Sequence, residues 1–407
     1  MLVEAFVYLR HDDATRTLLA VAMVVVVARL AGRLFERLGQ PPVIGEIVAG
    51  LALGPTVLGA WSTTLFPLTI RPMLRVLATL GLVLFMFLVG MEMDLGHLTD
   101  RRQRISGAVA VAGTATPFAL GVLLGLVLHS THAHAALVPF ALFMGACMSI
   151  TAFPVLARIL QERGLYETPL GTLAMACAAG DDVLTWATLA VVVAVATSSA
   201  GWQLPWICLL AVTFGAVMIL AVRPALARFS GKPAGPGDLP VVVVGILVCA
   251  WATSAMGLHE IFGAFLLGAV FPRGDLAGRA RAPLEAMAAI LLPIFFVTTG
   301  LNVDLGGVGR RGLWQFALIL GVACAGKLLG AVGGARMLGL AARESLALGV
   351  LMNTRGLTEL VVLNIGLSLG VLDRSLFSLL VLMAVVTTVA TAPLLGVIRP
   401  DPDLGGR

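Results

Sequence analysis

The sequence predicts an all-α polytopic membrane protein of about thirteen transmembrane helices, built on an inverted structural repeat. Three observations predict it. The 407 residues are 59% apolar and only 12% charged, with a mean hydropathy of +1.01. A soluble domain is nearer roughly 45–50% apolar and about 25% charged. The apolar residues form continuous runs from end to end, about 30 residues for each run and loop, and not the alternating ten-residue segments of a membrane β-barrel. Two adjacent stretches of the first half also recur in the second. A soluble enzyme, a disordered chain and a single-span anchor are excluded.

In chain order the apolar runs cover roughly 15–35, 43–59, 72–91, 105–128, 135–160, 169–198, 203–227, 239–257, 259–272, 284–301, 313–338, 343–370 and 375–398. The first is expected to be a retained span. Glu4, Asp12 and Asp13 stand where a signal peptide is basic, and no small-residue cleavage site follows. The polar loop from Ser230 to Asp238, rich in Gly and Pro, is the best linker candidate. The net charge is +5, but the basic residues are scattered between apolar runs, which points away from nucleic acid. With the N-terminus outside, the alternate loops inside hold 18 of the 27 Lys and Arg residues and the outside loops hold 7. That bias predicts an outside N-terminus and a cytoplasmic C-terminus. Cys147, Cys177, Cys208, Cys249 and Cys324 all sit in apolar runs and read as packing residues.

The repeat links the second span to the ninth and the third to the tenth. Glu46-Ile-Val-Ala-Gly-Leu-Ala-Leu-Gly54 matches Glu260-Ile-Phe-Gly-Ala-Phe-Leu-Leu-Gly268. The stretch from Phe85 through Gly90 and Asp94 to Gly96 matches that from Phe295 through Gly300 and Asp304 to Gly306. An offset of seven spans is odd, so the two copies run in opposite senses through the membrane. Inverted repeats are common in secondary transporters, with the substrate site at mid-membrane between the copies.

Ionisable residues within spans carry the functional reading, since each costs about 2.5–3.5 kcal/mol at mid-bilayer. Asp181 and Asp182 stand near the middle of the sixth span. Adjacent positions are 100° apart on a helix, so the two carboxylates cannot share one face, though they can still border one cavity. Two close acids favour retention of a proton, as exchange of protons for a cation requires. Lys327 lies within the eleventh span, in a chain with only one other lysine, Lys232. Unlike arginine, a desolvated lysine can give up its proton; a permanent bridge to Asp181 or Asp182 is the alternative.

The fifth span is interrupted at Ser149, Thr151 and Pro154, and the twelfth at Asn353, Thr354, Arg355 and Gly356. Broken helices at corresponding positions expose backbone groups that can line an ion site. Arg355 and Glu359 would neutralise the half-helix ends there, or form a plain i,i+4 pair. Glu46 and Glu260 read as capping or packing residues. Glu92, Asp94 and Asp304 read as interfacial. A metal site at His129, His132 and His134 is a weaker reading.

These stretches resemble the monovalent cation:proton antiporters, in the branch that includes plant cation/proton exchangers and bacterial sodium/proton antiporters. The resemblance is carried by Pro42 to Pro55, Leu84 to Gly90, Ser149 to Arg158, the Asp181-Asp182 pair, Gly326-Lys327, and Met352 to Asn364. They cover nearly the whole chain in order. The resemblance implies the sodium/proton antiporter fold, with two crossed discontinuous helices. Residues 104–200 and 312–399 would form the ion-transporting core, 13–96 and 239–304 the dimerisation side, and 203–229 a linker helix. It implies that Asp182 is the main ion carrier and that Asp181 and Lys327 form a pair that breaks during the cycle. Ser149 and Thr151 would join the cation and proton site, with Asn353, Thr354, Arg355 and Glu359 supporting the crossing.

Many plant-type exchangers have Asn where this chain has Asp181, which favours the electrogenic bacterial type. With nine residues after the last span, neither a nucleotide-binding regulatory region nor a long tail is expected. The expectation is a homodimeric inner-membrane antiporter of protons against Na⁺ or K⁺, working by alternating access and needing no cofactor. Two rival readings are a gated potassium efflux channel-like protein, and an intramembrane aspartyl protease, which would need its two acids on facing helices.

Overall fold

The computed structural model describes residues 13–92, 101–132, 135–197, 203–230, 238–272, 274–306 and 309–398. Asp94, His134 and most of the linker loop lie outside them. The main helices are α1 (Asp13–Arg37), α2 (Pro42–Leu53), α3 (Arg71–Glu92), α4 (Arg101–His132), α5 (Leu137–Ser149), α6 (Phe153–Glu162), α7 (Pro169–Thr197) and α8 (Gln203–Val217). A π-helical turn, Met218–Val222, joins α8 to α9 (Arg223–Ser230). There follow α10 (Asp238–Ala255), α11 (Glu260–Val270), α12 (Asp275–Gly300), α13 (Arg310–Met337), α14 (Ala342–Met352), α15 (Leu357–Ser368) and α16 (Arg374–Ile398). Every one of the thirteen expected spans contains helix. Among the described residues ten helical stretches are long and apolar enough to cross a membrane, the α5–α6 stretch counting as one. The α14–α15 pair, bent by 45°, makes an eleventh.

The other two, α2 and α11, are the repeat-matched second and ninth spans, and both are short. At 12 and 11 residues they reach about 18 Å, well under the roughly 30 Å hydrocarbon core. Proline explains both ends. Gly54 precedes Pro55 and Phe271 precedes Pro272. A residue before proline is pushed out of the helical region, and both are extended, with ψ of 174° and 133°.

The repeat is visible in the packing. Helix α2 crosses α12 where Gly54 and Gly50 meet Gly300; reciprocally, α11 crosses α3 where Gly268 meets Gly90. A Cβ on Gly90 would come within 3.0 Å of the Gly268 Cα, and one on Gly268 equally close to that of Gly90. Side chains are excluded from both crossings, and the first copy meets the second in each. Helices α1, α2, α3, α10, α11 and α12 pack among themselves, as do α4 to α7 and α13 to α16.

In the second set, α13 lies against α4 along Gly326, Gly330 and Gly334, the small-residue stripe beside Lys327. A Cβ at Gly326 would be 2.8 Å from the Pro117 Cα. This close approach sets the depth at which Lys327 meets the residues of α4. The two broken spans meet where they unwind: the Ala152 amide donates to the Thr354 carbonyl at 2.9 Å. Pro154 lies in the first turn of α6 and does not end α5. Its missing N–H is harmless there, and the interruption itself is the extended stretch 150–152.

Candidate functional site

Five elements meet at this crossing. Helix α7 brings Asp181 and Asp182, and α13 brings Lys327. Helix α4 brings Thr114, the α5–α6 break brings Thr151, and the α14–α15 break brings Asn353, Thr354 and Arg355. Asp181, Lys327, Thr151, Thr354 and Arg355 have no exposed surface and Asp182 has 1%. Lys327 Nζ donates to Asp181 Oδ2 and to Thr151 Oγ1, each at 2.8 Å. Thr151 Oγ1 donates onward to the Met352 carbonyl at 2.9 Å. The Thr114 hydroxyl has two acceptors for one proton, Asp181 Oδ1 and the Ala110 carbonyl.

Its neighbour is bonded quite differently. Both oxygens of Asp182 are buried without a hydrogen-bond partner, and so are Asn353 Oδ1, Thr354 Oγ1 and Thr185 Oγ1. The two adjacent acids therefore divide. Asp181 is tied to a lysine and a threonine, while Asp182 is left open. Buried polar atoms are almost always paired, so an unpaired carboxylate marks the point at which something else binds.

The half-helix ends are closed crosswise. The last carbonyls of α5 need donors, since a helix leaves them without intrahelical partners. Arg355, from the other copy, supplies them. Its Nη1 donates to the Cys147 carbonyl at 2.6 Å and to Glu359 Oε2 at 2.7 Å, and its Nη2 to the Met148 carbonyl at 2.7 Å. Ser149 Oγ donates back to the Ala146 carbonyl at 2.8 Å, so its proton serves its own helix end. The end of α14 is closed in turn by Thr151 from the first copy. The positive guanidinium at a helix C-terminus, and Glu359 in the first turn of α15, both suit the local dipoles. Arg355 is held further by Thr388 of α16. The Arg355 amide donates to Thr388 Oγ1 at 3.0 Å, and the one proton of that hydroxyl has two acceptors, the Arg355 carbonyl at 2.5 Å and the Ala384 carbonyl at 2.8 Å.

Thr114, Thr185 and Thr388 escaped sequence reasoning. A hydroxyl in an apolar helix costs little and is common, so it raises no flag. The signal for Thr388 was the repeat, since Asp181, Asp182 and Thr185 stand at one constant offset from Thr387, Thr388 and Thr391. Glu46 is buried, but it makes no cap: α2 starts at Pro42 with no side-chain cap, whereas Glu260 opens α11. Among the described residues no three His, Cys, Asp or Glu side chains gather as a metal site. His129 lies against the Ala135 carbonyl, and His132 Nδ1 pairs with Asp373 Oδ2 at 2.8 Å. Cys147 and Cys177 are buried free thiols; Cys249 and Cys324 are free and half-buried.

The family model described as "Sodium/hydrogen exchanger, transmembrane" matches residues 22–397. The chain belongs to that exchanger family. Among its relatives, the exchanger is 41% identical over 415 residues to "Na(+)/H(+) antiporter NhaS4" of Synechocystis, covering 96% of this chain and 99% of that one. It is 39% identical over 396 residues to "Cation/H(+) antiporter 20" of Arabidopsis thaliana, covering 91% of this chain but 47% of that protein. The exchanger thus spans about half the length of this plant relative and nearly all of the Synechocystis one. It is also similar in structure to the sodium proton antiporter MjNhaP1 of Methanocaldococcus jannaschii. The TM-score is 0.68 at 14% identity, over 95% of this chain and 97% of that one, and this likeness shows the fold.

Proposed function

We propose that this exchanger is a secondary antiporter that moves protons against Na⁺ or K⁺ across a cell membrane by alternating access. The observation that carries the reading is Asp182, a fully buried carboxylate with neither oxygen paired, beside an Asp181–Lys327 pair. A carboxylate binds a proton or a cation, one excluding the other, and that competition is the chemistry of antiport. The names of the relatives, sodium/proton, cation/proton and a yeast "K(+)/H(+) antiporter 1", support a monovalent cation and leave both ions in play.

Asp182 is the carrier. With no cation bound, Lys327⁺ neutralises Asp181⁻, and Thr151 and Thr114 hold the pair. A cation arriving at Asp182 weakens the Lys327–Asp181 attraction, and desolvation then favours loss of the lysine proton. Two protons would leave for one cation, making exchange electrogenic. Ser149 and Thr151 line the site at the first break. Asn353, Thr354, Arg355 and Glu359 hold the second break in register.

The packing of each helix set chiefly within itself supports a moving core, 104–200 and 312–399, against a dimerisation side, 13–96 and 239–304, joined by 203–229. A homodimer would place that second side at its interface. The bias of basic residues supports an outside N-terminus and a cytoplasmic C-terminus. The test is reconstitution. Proteoliposomes with an acidic interior should lose their pH gradient when NaCl or KCl is added outside, and those with Asp182→Asn should not. Exchange at the wild-type rate by Asp182→Asn would refute the assignment.

A further inference from the structure

Thr185 lies three residues beyond Asp182 on α7. It is 2% exposed, and its hydroxyl has no hydrogen-bond partner. That is unusual for a threonine inside a helix, whose hydroxyl commonly turns back onto the carbonyl four residues earlier. Here Thr114 bonds the Ala110 carbonyl at 2.8 Å, Thr387 that of Met383 at 3.0 Å, Thr388 that of Ala384 at 2.8 Å and Thr391 that of Thr387 at 3.0 Å. The corresponding acceptor for Thr185 is the Asp181 carbonyl, and that bond is not made. So the one helix that carries the open carboxylate also carries a buried hydroxyl that has given up its usual partner.

Residues three apart are neighbours on a helix surface, with Cβ atoms about 5–6 Å apart. The Asp182 carboxylate and the Thr185 hydroxyl therefore border the same space, whereas Asp181 is already engaged by Lys327 and Thr114. Hard cations take oxygen ligands. A carboxylate and a neutral hydroxyl supply two, with a single negative charge to match a single positive one. When Asp182 is protonated instead, its O–H needs an acceptor, and the same threonine oxygen can take it. Leaving such groups unpaired in a buried site is costly, and a bound ion or proton would relieve both at once.

We propose that Thr185 Oγ1 is a direct ligand of the transported cation, alongside the Asp182 carboxylate. The inference rests on the antiporter reading above and names a ligand that lies outside the broken helices. Its test is a series of conservative variants. Thr185→Val keeps shape and volume but removes the oxygen, and Thr185→Ser keeps the oxygen. Two quantities are read for NaCl and KCl separately. One is the salt concentration for half-maximal proton release from proteoliposomes, together with the maximal rate. The other is the salt concentration that gives half of the thermal stabilisation in detergent.

Thr185→Val should raise both concentrations at least about tenfold, with the maximal rate kept within about twofold, while Thr185→Ser stays close to wild type. Wild-type concentrations in Thr185→Val would overturn the proposal. An equal rise in Thr185→Val and Thr185→Ser would overturn it too, by pointing to packing. If wild type shows no cation-coupled proton release, the antiporter reading fails. The thermal measurement then decides the ligand alone: a shift confined to Thr185→Val upholds it, and no stabilisation by either salt removes it.

Discussion

Two neighbouring acids of one helix have been given unlike work by their surroundings. Asp181 is bonded on both oxygens and Asp182 on neither. The competition at Asp182 has a sign that pH can read. Only the ionised carboxylate takes a cation, so the half-maximal cation concentration should fall as pH rises, by about tenfold per unit while Asp182 is mostly protonated, and then level off. A pH-independent value from flux assays would contradict competition at one site. Lys327 gives a second residue-scale prediction. Lys327→Arg keeps the charge but cannot release a proton at working pH, and Lys327→Gln removes both. If the lysine carries a proton, both variants should lose voltage-sensitive exchange. If it is only a bridge, Lys327→Arg should transport as wild type while Lys327→Gln melts earlier. Asp181, Asp182 and Lys327 were legible in the sequence because a charge inside an apolar run is costly and stands out. The hydroxyls of Thr114, Thr185 and Thr388 were not, since their meaning lies in which bond they make or omit.

Among the elements, the broken spans were legible as interruptions, but not the way each closes the other. Arg355 serves two carbonyls of α5 and a buried glutamate at once. Arg355→Met would strand a buried Glu359 and two carbonyls, and removing one partner of a buried pair costs about 3–5 kcal/mol. Glu359→Gln keeps the carbonyl contacts and should cost clearly less. Thermal unfolding in detergent orders the two variants, and equal losses would mean that the capping of α5 matters little. The short α2 and α11 show the opposite lesson. Pro55 and Pro272 were visible in the sequence, yet hydropathy carries on past a helix end, so both runs read as full spans.

For the molecule as a whole, polar contacts tie the two helix sets together toward both ends, and Trp186 of α7 packs on Phe262 and Phe265 of α11 between them. Toward the end bearing more basic residues, Arg158 pairs with Glu36 at 2.5 Å and Gln40 Nε2 donates to the Val389 carbonyl at 3.3 Å. Toward the other end, Asn364 Nδ2 donates to Thr299 Oγ1 and Ser378 Oγ accepts from the Asp304 amide, both at 2.9 Å. If one set moves against the other, these contacts must part. The Glu36–Arg158 pair is about half exposed, with side chains 50% and 43% accessible, and such pairs are worth about 0–1 kcal/mol. Breaking it should therefore only retune the cycle, with Glu36→Gln changing the exchange rate by at most about fivefold. Tying it should stop the cycle. A double Glu36→Cys, Arg158→Cys variant, free of the native cysteines, should lose exchange on treatment with a thiol cross-linker that spans both sites and recover it on reduction. Full exchange in the cross-linked protein would mean that these helices do not separate.

The short α2 has an electrical consequence. Val43, Ile44 and Ile47 of α2 face Arg355, Gly356 and Thr388 across a small cavity, so this helix forms the wall beside the crossing. Where water reaches both its ends, the membrane voltage falls across about 18 Å of helix instead of the roughly 30 Å of the surrounding hydrocarbon. Under that condition the field there would be steeper by about 1.7-fold. Moving one charge through the whole potential is worth about 2.3 kcal/mol per 100 mV, and a thin wall lets a displacement of a few ångströms capture a large share of it. A carrier that shifts its ion only slightly can then still be driven, or held back, by the cell's resting voltage.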